Sequence, residues 1–123
     1  MAQKLLICDD DELLCKFYSR VLKAQGYEVL TGANGEEGLN IIKENSDLSI
    51  AIIDLLMPIK TGWELIEDIK SDPELSDIPL ITITGLATSP EEYEKVKSNC
   101  CAVLNKGEFE LSNFIKTIKE FSR

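Results

Sequence analysis

Short apolar runs of strand length alternate along the chain with longer segments in which apolar residues recur every three or four positions. That alternation predicts βαβ units and a parallel sheet flanked by helices, with five strand–helix pairs. Lys4 to Cys8 reads as the first strand and runs into Asp9-Asp10-Asp11, after which Leu14, Phe17, Tyr18, Val21 and Leu22 keep helical spacing until Gly26 ends the helix. Tyr27 to Thr31 is the second strand. Asn34, three residues before Glu37, is placed to cap a helix reaching about Glu44, in which Gly38 is a weak point. Leu48 to Leu55 is apolar except for Ser49 and Asp54, so it is expected at the centre of the sheet, covered on both faces. A third helix presents Leu65, Ile66 and Ile69 inward and stops near Asp72-Pro73, because proline cannot continue it. Pro79 to Thr84 is the fourth strand. Ser89-Pro90-Glu91-Glu92 supplies a capping serine, a proline at the first helical position and a glutamate placed for a capping box, opening a polar helix to about Asn99. Cys101 to Asn105 is the fifth strand, and Leu111, Phe114, Ile115 and Ile118 mark a closing amphipathic helix.

Crossovers between parallel strands are right-handed, which is expected to send alternate helices to the two faces, and the working site of such sheets lies at the carboxyl ends of the strands. The residues left at those ends are Asp9 and Asp10 after the first strand, Asp54 on the third, Thr84 on the fourth and Lys106 after the fifth. Three carboxylates brought together repel one another unless a hard cation sits among them, and oxygen-only ligands suit Mg²⁺. A carboxylate is also a covalent nucleophile toward phosphoryl groups, and the charge on the transferred group is met by a metal, an ammonium and a hydroxyl. Asp54, Lys106 and Thr84 suit those roles. Asp11, next to the first helix, is expected to cap it.

Composition narrows the partners. At 123 residues with 44% hydrophobic content, one domain spanning residues 1–123 is expected, with no linker, repeat or second domain. The formal charge of −9 repels nucleic acid and anionic membranes, so direct binding to either is not expected. No apolar run approaches the roughly 20 residues of a membrane helix, and Met1-Ala2-Gln3-Lys4 leads straight into the first strand with no room for a signal segment, which predicts a cytoplasmic protein. Cys8, Cys15, Cys100 and Cys101 show no CxxC spacing, the chain has no histidine, and buried free thiols are expected.

Leu5-Leu6-Ile7-Cys8-Asp9-Asp10, Asp54-Leu55-Leu56-Met57-Pro58 with Gly62, Ile83-Thr84-Gly85 and Lys106, in this order and each at a strand end, resemble the response-regulator receiver domains of two-component signalling over nearly the whole chain. The resemblance implies an α/β, flavodoxin-like, doubly wound (βα)5 fold with strand order 2-1-3-4-5. It implies that Asp54 is the phospho-acceptor, that Asp10, Asp54 and the backbone carbonyl of Leu56 hold Mg²⁺ with Asp9 acting nearby through water, and that Thr84 and Lys106 bind the phosphoryl oxygens. The domain would then be a switch rather than a metabolic enzyme, its catalysis limited to its own phosphotransfer and slow autodephosphorylation. A sensor histidine kinase or phosphotransfer protein would supply the phosphoryl group, and a moving Thr84 would reshape the surface of the fourth helix, fifth strand and fifth helix for an output protein or domain. The chain itself would be a monomer or weak dimer.

Four positions bear on the match to the family pattern. Gly107 follows the lysine where a cis proline is usual, and because a cis bond without proline costs about 3 kcal/mol, a trans or glycine-specific backbone is expected. Val103 stands where an aromatic switch residue is common. Leu56 and Leu86 offer no hydrogen bond to a water attacking the acyl phosphate, which implies a long-lived phosphoryl group. Other functions fit less well. A haloacid-dehalogenase-type phosphatase would share an Asp-x-Asp pair, but Leu13 stands where that motif wants Thr or Val. A flavin binder would need a phosphate-cradling first loop where this one is acidic. A receiver-like module that is never phosphorylated is the third alternative.

Overall fold

The computed structural model describes residues 3–85 and 89–123. Its elements follow in strict alternation: β1 Lys4–Cys8, α1 Glu12–Ala24, β2 Glu28–Gly32, α2 Gly35–Glu44, β3 Ile50–Asp54, α3 Gly62–Ser71, β4 Leu80–Thr84, α4 Pro90–Asn99, β5 Ala102–Asn105, a one-turn 3-10 helix at Lys106–Glu108, and α5 Leu111–Phe121. Helices α1 to α4 start where side chains satisfy their first amides. Asp11 accepts from the N–H groups of Leu13 and Leu14, Asn34 from Glu37 and Ser89 from Glu92, while Thr61 and Glu64 form a reciprocal capping box ahead of α3.

The five strands form one parallel sheet in the order β2-β1-β3-β4-β5, as expected of a flavodoxin-like fold. The register places Ile7 beside Ile52, Ile53 beside Thr82 and Thr84 beside Asn105. Strand side chains alternate between two cores. Leu6, Cys8, Ala51, Ile53 and Leu80 pack with Ile42 of α2, Leu65, Ile66 and Ile69 of α3 and Val96 of α4. Leu5, Ile7, Ile50, Ile52, Ile81 and Ile83 pack with Tyr18 and Leu22 of α1 and Phe114 and Ile118 of α5. β3 is buried along its whole length, as its near-continuous apolar run requires.

The helices therefore do not alternate between faces, as the strand–helix order alone suggested. α1 and α5 share one face and α2, α3 and α4 the other. Handedness is constant, so a crossover changes face only when the chain reverses its direction across the sheet, which happens once, after β2.

At the amino ends of the strands a second feature closes the fold. Arg123 donates from Nε to the Leu48 carbonyl at 2.9 Å and from Nη2 to that of Ser46 at 2.8 Å, and its backbone N–H bonds Ser49 O at 3.1 Å. Its own carbonyl accepts from Gln3 Nε2 at 2.8 Å. The thiols split into two classes. Cys8 and Cys15 are buried as expected, Cys100 is half-buried, and Cys101 is exposed, in the connection just before the edge strand β5 rather than within it.

Candidate functional site

Parallel strands aim every carboxyl end the same way, and the polar residues left there meet in an open cleft of about 580 Å³ lined by Asp10, Asp11, Asp54, Leu56, Thr84, Gly85 and Lys106. The turn after β1 sorts its three aspartates. Asp9 donates its N–H to Gly32 O at 3.0 Å and accepts from the Asp11 N–H at 2.9 Å, which tucks it inward at 3% exposure. Asp10 is left facing the cleft mouth, and Asp11, at the cleft's rim, caps α1, as the sequence implied.

Asp54 is the last residue of β3, paired in register with Ile83 and 6% exposed. The connection from Asp54 to α3 is tightly folded. A Cβ on Gly62 would stand 2.6 Å from Leu55 Cα and closer still to the Asp54 carbonyl oxygen, so only glycine lets the start of α3 press on the strand end. The Gly62 N–H donates to Leu55 O at 2.9 Å. Between them Lys60 donates its N–H to Pro58 O at 2.8 Å across Ile59, whose φ is 70°. This is a γ-turn of the rare positive-φ kind, occupied here by a β-branched residue that is 75% exposed. Lys60 pins the loop twice, through its carbonyl to the Gly35 N–H at 2.9 Å and through an ion pair with Asp68.

One oxygen from each of Asp9, Asp10 and Asp54 lies within 4.8 Å of the others. Lys106 reaches in from beyond β5, its Nζ 2.9 Å from Asp9 Oδ2 and 3.3 Å from Asp54 Oδ2. Burial and the neighbouring Asp9 charge push the Asp54 carboxyl up to about 6, against the pull of Lys106 and of the Leu56 N–H. Burial opposes the charge on Lys106, but its hydrogen bond to Asp9 and the charges of Asp54 and Asp9 outweigh it and raise the ammonium pKa. Three carboxylates against one ammonium leave the cleft negative. The all-oxygen donor set fits a hard divalent cation, with Asp9, Asp10 and Asp54 the residues able to hold it and Leu56 at the same wall.

The residues singled out in the sequence are thus brought together: Asp9, Asp10, Asp54, Thr84, Lys106 and Leu56. Thr84 ends β4 at 5% exposure and lines the cleft. Leu86 lies outside the described residues. The Gly107 peptide is trans, and Gly26, with a φ of 96°, is the only glycine of positive φ among the described residues, so Gly107 uses no glycine-specific backbone. Its N–H is instead held by Asn105 Oδ1 at 2.7 Å. Val103 is half-buried on β5 beside a cavity of about 370 Å³ that Thr84 and Tyr93 also line. Sequence reasoning did not find the γ-turn at Ile59, the direct Asp9–Lys106 pair or the Thr61–Glu64 box. Only the box had a visible signal, in the Thr-x-x-Glu spacing.

Comparison with known proteins agrees with this geometry. Residues 5–119 match the family model for the response regulator receiver domain. The chain is 30% identical over 121 residues to the polar-differentiation response regulator DivK of Brucella anthropi, covering 98% of this chain and 97% of that one, and 29% identical to the DivK of Brucella ovis over the same shares. Among solved structures it is similar to the chemotaxis protein CheY4 of Vibrio cholerae, with a TM-score of 0.87, 28% identity and coverage of 98% and 99% of the two chains. A CheY-like receiver domain protein from Methanospirillum hungatei superposes with a TM-score of 0.85 at 28% identity, covering 98% and 93%. A parallel sheet in the order 2-1-3-4-5, an acidic cleft at its carboxyl pole and a family match over all but the chain's extremities place this protein in the response regulator receiver domain family of two-component signalling.

Proposed function

We propose that the chain accepts a phosphoryl group on Asp54 and works as a phosphorylation-controlled switch. The observation that carries this reading is the buried Asp54 carboxylate, held between Lys106 and two further carboxylates at the end of the central strand. Burying a carboxylate among others of its kind is expensive without a role.

In the reaction, an Asp54 oxygen attacks phosphorus, the N–P bond of a phosphohistidine donor breaks, and its electron pair returns to the imidazole. Lys106 neutralises charge on the phosphoryl oxygens, and the Thr84 hydroxyl donates to one of them. Asp10, Asp54 and the Leu56 carbonyl would hold Mg²⁺, with Asp9 acting through water. When bound, the ion supplies further neutralisation of the transferring group. The donor is a sensor histidine kinase or a phosphotransfer protein. The response is a shift of Thr84 that reshapes the α4–β5–α5 surface read by an output protein or domain, a local charge event biasing a two-state element. Leu56 is 51% exposed at the cleft and offers an attacking water no hydrogen bond, which supports a slow loss of the phosphoryl group.

The test is to incubate the protein with Mg²⁺ and acetyl phosphate and read intact mass, with Asp54→Ala as control. One added phosphoryl group that needs both Mg²⁺ and Asp54 is the expected result. No addition by a folded, Mg²⁺-binding protein would overturn the reading in favour of an interaction module that is never phosphorylated.

A further inference from the structure

Lys106 delivers its ammonium from a stretch with little regular structure of its own. β5 ends at Asn105, paired with Thr84, and the chain then makes a single 3-10 turn at Lys106–Glu108 in which Gly107 and Glu108 are exposed. A glycine next to the lysine adds backbone freedom, and the four-carbon lysine stem adds more. Yet Nζ sits within 3.3 Å of two carboxylates, one just after β1 and one ending β3, so something must fix the turn.

Two contacts do so. At the near end, Asn105 Oδ1 accepts from the Gly107 N–H at 2.7 Å. At the far end, Phe109 enters a group of four rings, with centroids 5.3 Å from Phe114, 5.7 Å from Tyr18 and 6.4 Å from Phe17. These separations suit tilted and edge-on aromatic packing. Tyr18 and Phe114 belong to the buried core behind the sheet, so Phe109 ties the turn to both α1 and α5. Between the anchors the lysine stem lies along Gly85, where a Cβ would be 3.7 Å from Lys106 Cδ.

We propose that Phe109 is a positioning residue for Lys106: the four-ring cluster and the Asn105 carboxamide together hold the 3-10 turn that aims the ammonium at Asp9 and Asp54. Phe109 is only half-buried, and Tyr18 and Phe114 meet each other at 5.1 Å without its help. Removing the ring should therefore loosen the turn while sparing the core. The consequence for phosphotransfer rests on the function proposed above; the placement of the amine does not.

The experiment is acylation of lysines by an N-hydroxysuccinimide acetate ester in Mg²⁺-free buffer, quantified peptide by peptide, in wild type, Phe109→Ala, Phe109→Tyr and Asn105→Ala. Lys60, ion-paired to Asp68 elsewhere on the molecule, is the internal control. Phe109→Ala should raise labelling of Lys106 about tenfold with Lys60 unchanged, since only a local opening is involved. Phe109→Tyr should keep the wild-type rate and Asn105→Ala should move in the direction of Phe109→Ala. Unchanged Lys106 labelling in folded Phe109→Ala overturns the proposal, and so does an equal rise at Lys60, which would mean general loosening. Should Phe109→Ala not fold, Phe109→Leu and Phe17→Ala carry the same comparison, because the Phe17 ring is 44% exposed and dispensable to the core. Acetyl phosphate uptake run in parallel separates the two readings. A wild type that takes up no phosphoryl group removes the switch function but leaves the labelling result to decide the positioning, whereas equal uptake by wild type and Phe109→Ala with Lys106 unmoved removes the positioning alone.

Discussion

Replacing Ile59 with glycine should stabilise the protein, against the usual direction for a change to glycine. Ile59 holds a φ of 70° across the Pro58–Lys60 hydrogen bond, where the Cβ of an L-residue crowds the following carbonyl at a cost of about 1–2 kcal/mol. Its side chain is 75% exposed, so the buried quarter returns only about 0.5 kcal/mol. Glycine in turn gives the unfolded chain freedom worth about 0.5–1 kcal/mol. The balance lies between about −0.5 and +1 kcal/mol, centred on a gain of about 0.3 kcal/mol for Ile59→Gly over wild type. Ile59→Ala keeps the strain and forfeits the packing, so the glycine variant should exceed it by about 1 kcal/mol. The turn should survive in all three, because the Gly35–Lys60 and Leu55–Gly62 backbone bonds do not depend on the side chain. Urea denaturation with a common m-value gives the order directly from the midpoints, glycine above isoleucine above alanine. A glycine variant less stable than the alanine variant would refute the reasoning, since it would mean that the residue at 59 is not strained.

Asp54→Asn should stabilise the Mg²⁺-free protein by up to about 3 kcal/mol at pH 7.5, since it removes a buried charge beside Asp9. The sign comes from a folded pKa of about 6 lying above the ordinary value of 3.8: the penalty is present above pH 6 and fades toward pH 4, so thermal melts of the two proteins should converge there, and a gain that persists at pH 4 would contradict the electrostatic cause. Gly62→Ala should destabilise by more than about 3 kcal/mol, because the added methyl meets strand backbone rather than a movable side chain, and a melting temperature near wild type would show that α3 can retreat. In the native protein iodoacetamide should modify the exposed Cys101 first and leave Cys8 and Cys15 intact, their thiols pushed up to about 12 and about 11 chiefly by burial. Peptide mass spectrometry that finds Cys8 modified without unfolding would contradict the packing around β1.

What could be read from the residue order was local or periodic. The strands announced themselves because each is a short apolar run, and the site residues because each sits where such a run stops. Helix faces were harder. Every crossover has the same hand, so the face depends on the direction of travel across the sheet, which is a property of strand order and not of any one segment. Gly38 was legible only as a poor helix former. In the fold a Cβ there would stand 2.7 Å from Cys8 Sγ, so the glycine allows α2 to sit close on β1. Cys101 was placed inside from its apolar neighbours, but it precedes an edge strand and is exposed. The Ile59 γ-turn has no signal at all, because the sequence carries a residue that disfavours it and the surrounding hydrogen bonds impose it. The four-ring cluster joins α1, the turn after β5 and α5, bringing together residues from the two ends of the chain that no local pattern links.

The Arg123 clasp has an engineering consequence. Gln3 and Arg123 are hydrogen-bonded although 120 positions apart, and they meet at the amino ends of the strands, the pole opposite the acidic cleft. A short peptide spliced between them would close the chain into a ring without crossing the sheet, and new ends could then be opened in an exposed connection that Arg123 does not hold, such as that around Pro73 and Glu74. Such a circular permutant would carry its fusion points far from the acidic cleft, making the domain a candidate for insertion into a host protein whose own ends of the gap lie a few ångströms apart.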